Sequence, residues 1–151
     1  RQFRERRMTK KYVALATGNM TEDGRLEHRL AHSSSGPHRM VVDELDPKAM
    51  FSVTEYTIRR RFPMHPLLGV AIRTGVTHQI RCQLAHIGHP LAGDSLYGSA
   101  DANAGYRGRL FLHAEELSFP DPTTGAERSF SAELPHDLRQ WVEEPSRLES
   151  V

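Results

Sequence analysis

Apolar and polar residues alternate in several short runs along the chain, and most runs end at a glycine, a proline or a polar cluster. Lys11–Gly18 (KYVALATG) combines Tyr, Val and Leu and closes on Gly, which predicts a strand. Thr21–Gly24 (TEDG) is a turn and Ser33–Pro37 (SSSGP) a loop. Between them, Arg25–His32 (RLEHRLAH) suits a helix or a strand equally. Arg39–Leu45 and Phe51–Phe62 read as strands, the second rich in β-branched and aromatic residues. His65–Gly75 adds another, with Leu68, Val70 and Ile72 alternating on one face. Gly108–Phe119 and Arg128–Leu134 form a hairpin across the turn at Pro120–Glu127.

The period changes at Thr77–Ile87. Ile80, Leu84 and Ile87 fall at i, i+4 and i+7, which predicts a short helix with these three residues buried. Thr77 suits its N-cap, and Gly88 and Pro90 its end. Pro135–Glu144 is a second short helix, with Leu138 and Trp141 three apart. Arg1–Met8 has the pattern of a helix end. Many strands and few helices, without βαβ alternation, predict an α+β fold built on a mostly antiparallel mixed sheet. At 151 residues, one domain spanning 1–151 is expected.

Composition excludes a few classes. No apolar run is long enough to span a bilayer as a helix, and one cysteine, Cys82, rules out an internal disulfide. That usage fits a reducing, cytoplasmic setting. Net charge is only +1, but it is segregated. Arg1–Lys11 holds six basic residues and one acidic residue, and Arg59, Arg60 and Arg61 form a second basic run. The plain reading is a solvated helix end and a loop. The functional reading is a basic surface for phosphates, made by Arg4, Arg6, Arg7, Lys10, Lys11 and Arg59–Arg61.

Candidate chemistry narrows further. His78, His86 and His89 lie close in sequence, but Gly88 and Pro90 break the helix around His89 and no carboxylate follows until Asp94, so no metal is expected. Cys82 reads as a small buried hydrophobe rather than a nucleophile. The glycines of GHPLAGDSLYG lack the Gly-Lys-Ser/Thr of a phosphate loop and shape turns instead. Arg81 stands out. A cation in the first turns of a helix faces the positive end of the dipole, which suggests a second role for it, while the plain reading has Arg81 reaching solvent.

Five segments, in order, resemble the RluA-like family of RNA pseudouridine synthases. KKYVALATG resembles the family's Lys-x-Tyr-x-Ala-Leu-x-x-Gly strand, and KAMFSVTEYTI its segment ending in Thr-x-Tyr-x-Val. TGVTHQIRCQLA followed by GHPLAGDSLYG resembles Thr-Gly-Arg-Thr-His-Gln-Ile-Arg-Val-His-Leu-Ala and its Gly-His-Pro-Ile-x-Gly-Asp-x-x-Tyr-Gly turn. GRLFLHAEELSFPDPTTG and FSAELPHDL resemble its closing strands.

The resemblance implies a pseudouridine synthase fold and isomerisation of uridine in ribosomal or transfer RNA, without metal or organic cofactor. It implies a flipped uridine, a catalytic Tyr at Tyr12 and a carboxylate-pairing catalytic Arg at Arg81. It adds Thr74, His78 and Gln79 to the RNA-contacting residues.

Three departures qualify it. Val76 stands where the family has Arg, and Cys82-Gln83 replaces Val-His. The nucleophilic Asp of the family lies in an Arg-Leu-Asp motif upstream of the Lys-x-Tyr strand, and this sequence contains no such motif. Asp94 reads as a turn or cap residue, and no other Asp has the required context. The chain therefore reads as the C-terminal part of a catalytic domain, inactive by itself. A non-catalytic RNA-binding remnant and a protein-interaction domain using an unpaired sheet edge stay open beside it.

Overall fold

The computed structural model describes residues 7–36, 38–99, 103, 105–144 and 146–149. The readings made on Arg1–Arg6, including Arg4 and Arg6, lie outside the described residues. Among the described residues seven strands make one sheet: β1 (Thr9–Leu15), β2 (Gly24–His32), β3 (Met40–Val42), β4 (Met50–Phe62), β5 (His65–Ile72), β6 (Leu112–Pro120) and β7 (Glu127–Ser131). Their order is β3-β2-β4-β5-β1-β6-β7. Every described pairing is antiparallel, so the sheet is not mixed among the described residues. Three helices accompany it: α1 (Gln79–His86), α2 (His136–Glu143) and α3 (Ser146–Glu149).

Arg25–His32 resolves as a strand because all of β2 up to Leu30 pairs with β4. Its alternation then sends Leu26 toward the core and Glu27 to solvent. Arg39–Leu45 is shorter than expected. The Asp43 carboxylate accepts the Leu45 and Asp46 N–H groups, and this turn ends the strand at Val42. The basic run Arg59–Arg61 lies within β4 and is not a loop.

Alternation along β1 divides the core in two. Ala14 packs on one face with Leu68, Val70, Ile72, Ile80 and Leu84, beneath α1. Val13 and Leu15 face the other way, against Phe62, Phe111 and Leu138 of α2. The central strands thus have apolar residues on both faces, as a sheet covered on both sides requires. Gly69 on β5 has a separate task. A Cβ there would lie 2.5 Å from Arg59 Nε, so the glycine lets that guanidinium cross the sheet to Glu115.

The helix expected at Thr77–Ile87 begins later, at Gln79. Thr77 is exposed and does not cap it. His78 holds the N-cap position in the left-handed region (φ 54°) and makes no side-chain cap bond. The Gln79 side chain instead bends back to the turn before the helix, its amide oxygen accepting the Val76 N–H. Ile80 and Leu84 are buried as expected, while Ile87 is partly buried against the same cluster. Leu84 is among the largest wholly buried side chains, and a cavity in its place cannot be filled by solvent. Leu84→Ala should lower the unfolding free energy by about 2–5 kcal/mol, measured by denaturant titration.

Candidate active site

Strand β1 and helix α1 bring Tyr12 and Arg81 to the same hollow. Tyr12 lies on the face of β1 that α1 covers, half-buried against the first core cluster. Arg81 follows the buried Ile80 by one residue, which turns it from the core to the rim. Both border a cavity of about 270 Å³. Ile72, Ile80, Leu110 and Leu112 give it apolar walls, and Val76, His78 and Gln79 complete the lining. Among its described lining residues none is a carboxylate. Tyr12 also borders a neighbouring depression of about 320 Å³ shared with Lys10, Leu117 and Phe130.

The carboxylate that Arg81 meets is Asp94. Arg81 Nε and Nη2 donate to its two oxygens at 2.9 and 2.8 Å, a bidentate pair. The Asp94 side chain is 0% exposed and that of Arg81 18%. Asp94 also caps its turn as expected, its Oδ1 accepting the N–H groups of Leu96 and Tyr97, each at 3.0 Å. Burial opposes its ionisation, yet the donors from Arg81, Tyr97 and Leu96 prevail and hold it below the usual carboxylate range. With four donors and no exposure it cannot approach a substrate as a nucleophile.

Tyr97 follows three residues later. Its hydroxyl oxygen accepts the Met40 N–H at 2.9 Å and lies 3.0 Å from His78 Nδ1. The guanidinium carbons of Arg39 and Arg81 sit 5.4 and 5.3 Å from its ring centre. Burial, and then the nearby Arg81, lower the pKa of His78, so its neutral form is favoured. Burial raises the pKa of Tyr12, which keeps that phenol protonated.

The remaining candidates divide. Gln79 lines the cavity, but it is buried and its amide is filled by protein: Nε2 donates to the Val53 carbonyl and to Thr54 Oγ1, and Oε1 accepts from Thr74 and Val76. Thr74 thus serves the turn and lines a different hollow. Lys11 alternates with Tyr12 onto the opposite face, where it borders a hollow with Arg59 and reaches Glu116 at 3.6 Å. Arg59 is paired bidentately with Glu115. Arg60 lies over Phe62 and donates to the Val142 carbonyl, and Arg61 donates to the Thr21 carbonyl. None of these three borders the cavity. Asp94, Tyr97 and Arg39 were not foreseen as site residues. Asp94 and Tyr97 stood in the sequence only as members of the Gly-Asp-x-x-Tyr-Gly turn, and nothing marked Arg39.

Comparison with known proteins shows the family and the fold. The sequence model of the RNA pseudouridylate synthase family matches residues 1–86, and the chain belongs to that family. It is 37% identical over 148 residues to the "Ribosomal large subunit pseudouridine synthase D" of Yersinia pestis, and 32% identical over 152 residues to that of Escherichia coli strain K12. These alignments cover 91% and 93% of the chain but 45% and 46% of the relatives, so the chain spans about half their length. The solved structure of human RNA pseudouridylate synthase domain containing 1 superposes with a TM-score of 0.69 at 26% identity, covering 96% of this chain and 68% of that one. Human RNA pseudouridylate synthase domain containing 4 gives 0.73 at 23% identity, covering 98% and 65%, a likeness of fold. The α+β pseudouridine synthase fold expected from the sequence is therefore the one observed. Among the described residues no helix is long and apolar enough to cross a membrane.

The histidines generate a pH prediction. Burial is the leading cause that lowers the pKa of His28, His65 and His78 below 6.5. The unfolded chain binds these protons first as pH falls, so stability is full above pH 6.5 and declines below it. Thermal or urea unfolding should show that decline. His65→Leu should flatten it, because His65 is 1% exposed with Nε2 unpartnered.

Proposed function

We propose that the protein carrying this chain isomerises uridine to pseudouridine in RNA, and that this chain supplies the tyrosine and arginine walls of the uridine cavity. The observation that carries the reading is the convergence of Tyr12 and Arg81 on one hollow with apolar walls. An aromatic ring beside apolar walls suits a flipped base, whose unstacking must be offset by contact. The family of the chain and the names of its relatives support large-subunit ribosomal RNA as substrate over transfer RNA, and a cytoplasmic setting.

In this reaction the N1–C1′ bond of uridine breaks, the uracil turns, and a C5–C1′ bond forms. C5 loses a proton and N1 gains one, so the atoms balance. An aspartate nucleophile, expected in an Arg-Leu-Asp segment of the longer protein, holds the nucleotide. Arg81 offers it the guanidinium edge that Asp94 leaves open, since Nη1 has no hydrogen-bond partner among the described residues. Tyr12 packs on the base as a neutral phenol and handles the proton. Lys10, Lys11, Arg59, Arg60, Arg61 and His78 are the proposed RNA-contacting set, whereas Thr74 and Gln79, expected beside them, hold each other in the turn before α1. Of these, Lys10 and His78 stand nearest to Tyr12 and Arg81 through the hollows they share.

The 151-residue chain alone binds RNA without turning it over, because its own carboxylate at Arg81 is buried and saturated. Tritium release from 5-tritiated uridine in ribosomal RNA tests this. The chain alone should be silent, and a longer version carrying an Arg-Leu-Asp segment should be active. In the longer version Arg81→Ala and Tyr12→Ala should each reduce turnover by about a hundredfold or more. RNA affinity of the chain should fall steeply with added salt. Turnover by the chain alone would place the nucleophile among its own aspartates and refute the assignment.

A further inference from the structure

We propose that Asp94 and Tyr97 are positioning residues of the site, and that the loop from Gly93 to Gly98 is a brace fixing the Arg81 guanidinium and the His78 imidazole at the cavity rim. This rests on the RNA reading above and adds residues to it.

Three observations converge on the brace. First, an arginine on a short helix ordinarily samples many rotamers, and a substrate would have to select one of them. Here two parallel hydrogen bonds donated to a wholly buried carboxylate select the rotamer beforehand. The carboxylate is itself fixed by two backbone N–H groups of its own turn, so it cannot follow the arginine if that side chain moves. Second, the hydroxyl of Tyr97 joins His78 to the backbone of β3 through Met40. The same oxygen that accepts the Met40 N–H lies 3.0 Å from His78 Nδ1, and the imidazole is held edge-on to Tyr97 at an interplanar angle of 87°.

Third, the loop itself has little freedom. A Cβ at Gly93, where φ is +77°, would lie 2.5 Å from the Arg109 carbonyl oxygen. The Arg39 guanidinium clamps the far side, donating to the Leu96 carbonyl at 2.8 Å while lying over the Tyr97 ring. The groups facing His78 are Tyr97, Arg81, Asp94 and His38. A loop that merely completed the fold would have no need to bind two separate cavity-lining side chains through their polar atoms.

The test is a pair of measurements on the 151-residue chain. Nitrogen-edited NMR should show the Arg81 Nε–H as a sharp, slowly exchanging signal that Asp94→Asn abolishes. Tyr97→Phe removes only the hydroxyl and should shift the His78 Nδ1 resonance, and it serves where Asp94→Asn does not fold. In parallel, affinity for a fluorescein-labelled uridine-rich oligoribonucleotide should fall at least about tenfold in Asp94→Asn and Tyr97→Phe, the loss of a charge-assisted or buried hydrogen bond. Leu138→Ala, buried on the opposite face, should bind as the unsubstituted chain does. An Arg81 signal indifferent to Asp94, a His78 signal indifferent to Tyr97, or an equal loss of affinity in Leu138→Ala would overturn the brace. Absence of oligoribonucleotide binding by the unsubstituted chain, with both NMR responses present, would instead refute the RNA reading and leave the brace standing.

Discussion

Two buried glutamines set the rotation of α1, and the site follows from that rotation. Gln79 and Gln83 lie one helical turn apart and face the sheet, where water cannot satisfy their amides. Gln83 Oε1 accepts from Thr54 Oγ1 at 2.5 Å, and its Nε2 lies 3.0 Å from His28 Nδ1. Gln79 fills its amide with Val53, Thr54, Thr74 and Val76. Apolar packing alone would tolerate a slightly turned helix. A set of directional bonds does not, because each broken one strands a buried polar group at a cost of about 1–3 kcal/mol.

With that rotation set, neighbouring residues have little choice. Ile80 and Leu84 point into the core, Cys82 turns toward Leu30 and Met40, and Arg81 emerges at the rim. Burial pushes the Cys82 thiol up, which suits a packing role rather than a reactive one. The awkward position of Arg81 near the helix start is resolved by Asp94, whose full negative charge lies 2.8 Å from the guanidinium and outweighs the partial charge of the helix end. On the other face α2 seals Leu138 against Phe111 and Leu15, so the central strands carrying Tyr12 are held from behind.

Some of this was legible in the residues. Period-two alternation gave the strands, the Ile80–Leu84 spacing gave the helix, and the ordered motifs gave the family, later matched over residues 1–86. Other parts were hidden for definite reasons. Thr77 is an apt N-cap by residue type, yet the left-handed turn at His78 starts the helix one residue later and no side chain caps it. Arg25–His32 suits a helix locally, and its pairing with β4, some thirty residues away, decides otherwise. The basic run at Arg59–Arg61 looks like one patch in sequence. In the strand its members reach to Glu115, Val142 and Thr21, three separate places.

The sequence by itself determined the antiparallel α+β class and the family, and through the family resemblance it singled out Tyr12 and Arg81, which border one hollow. These depend on local period and residue order, which a linear text retains. Tertiary structure alone decided that Arg81 is held by Asp94, that Tyr97 ties His78 to Met40, and that Gln79 is a structural amide. Each of those rests on directional bonds between separate segments of the chain, closed only when the sheet and α1 are packed. Spacing can show that a charge lacks a partner nearby, but only the packed chain brings a particular carboxylate within 3 Å of it.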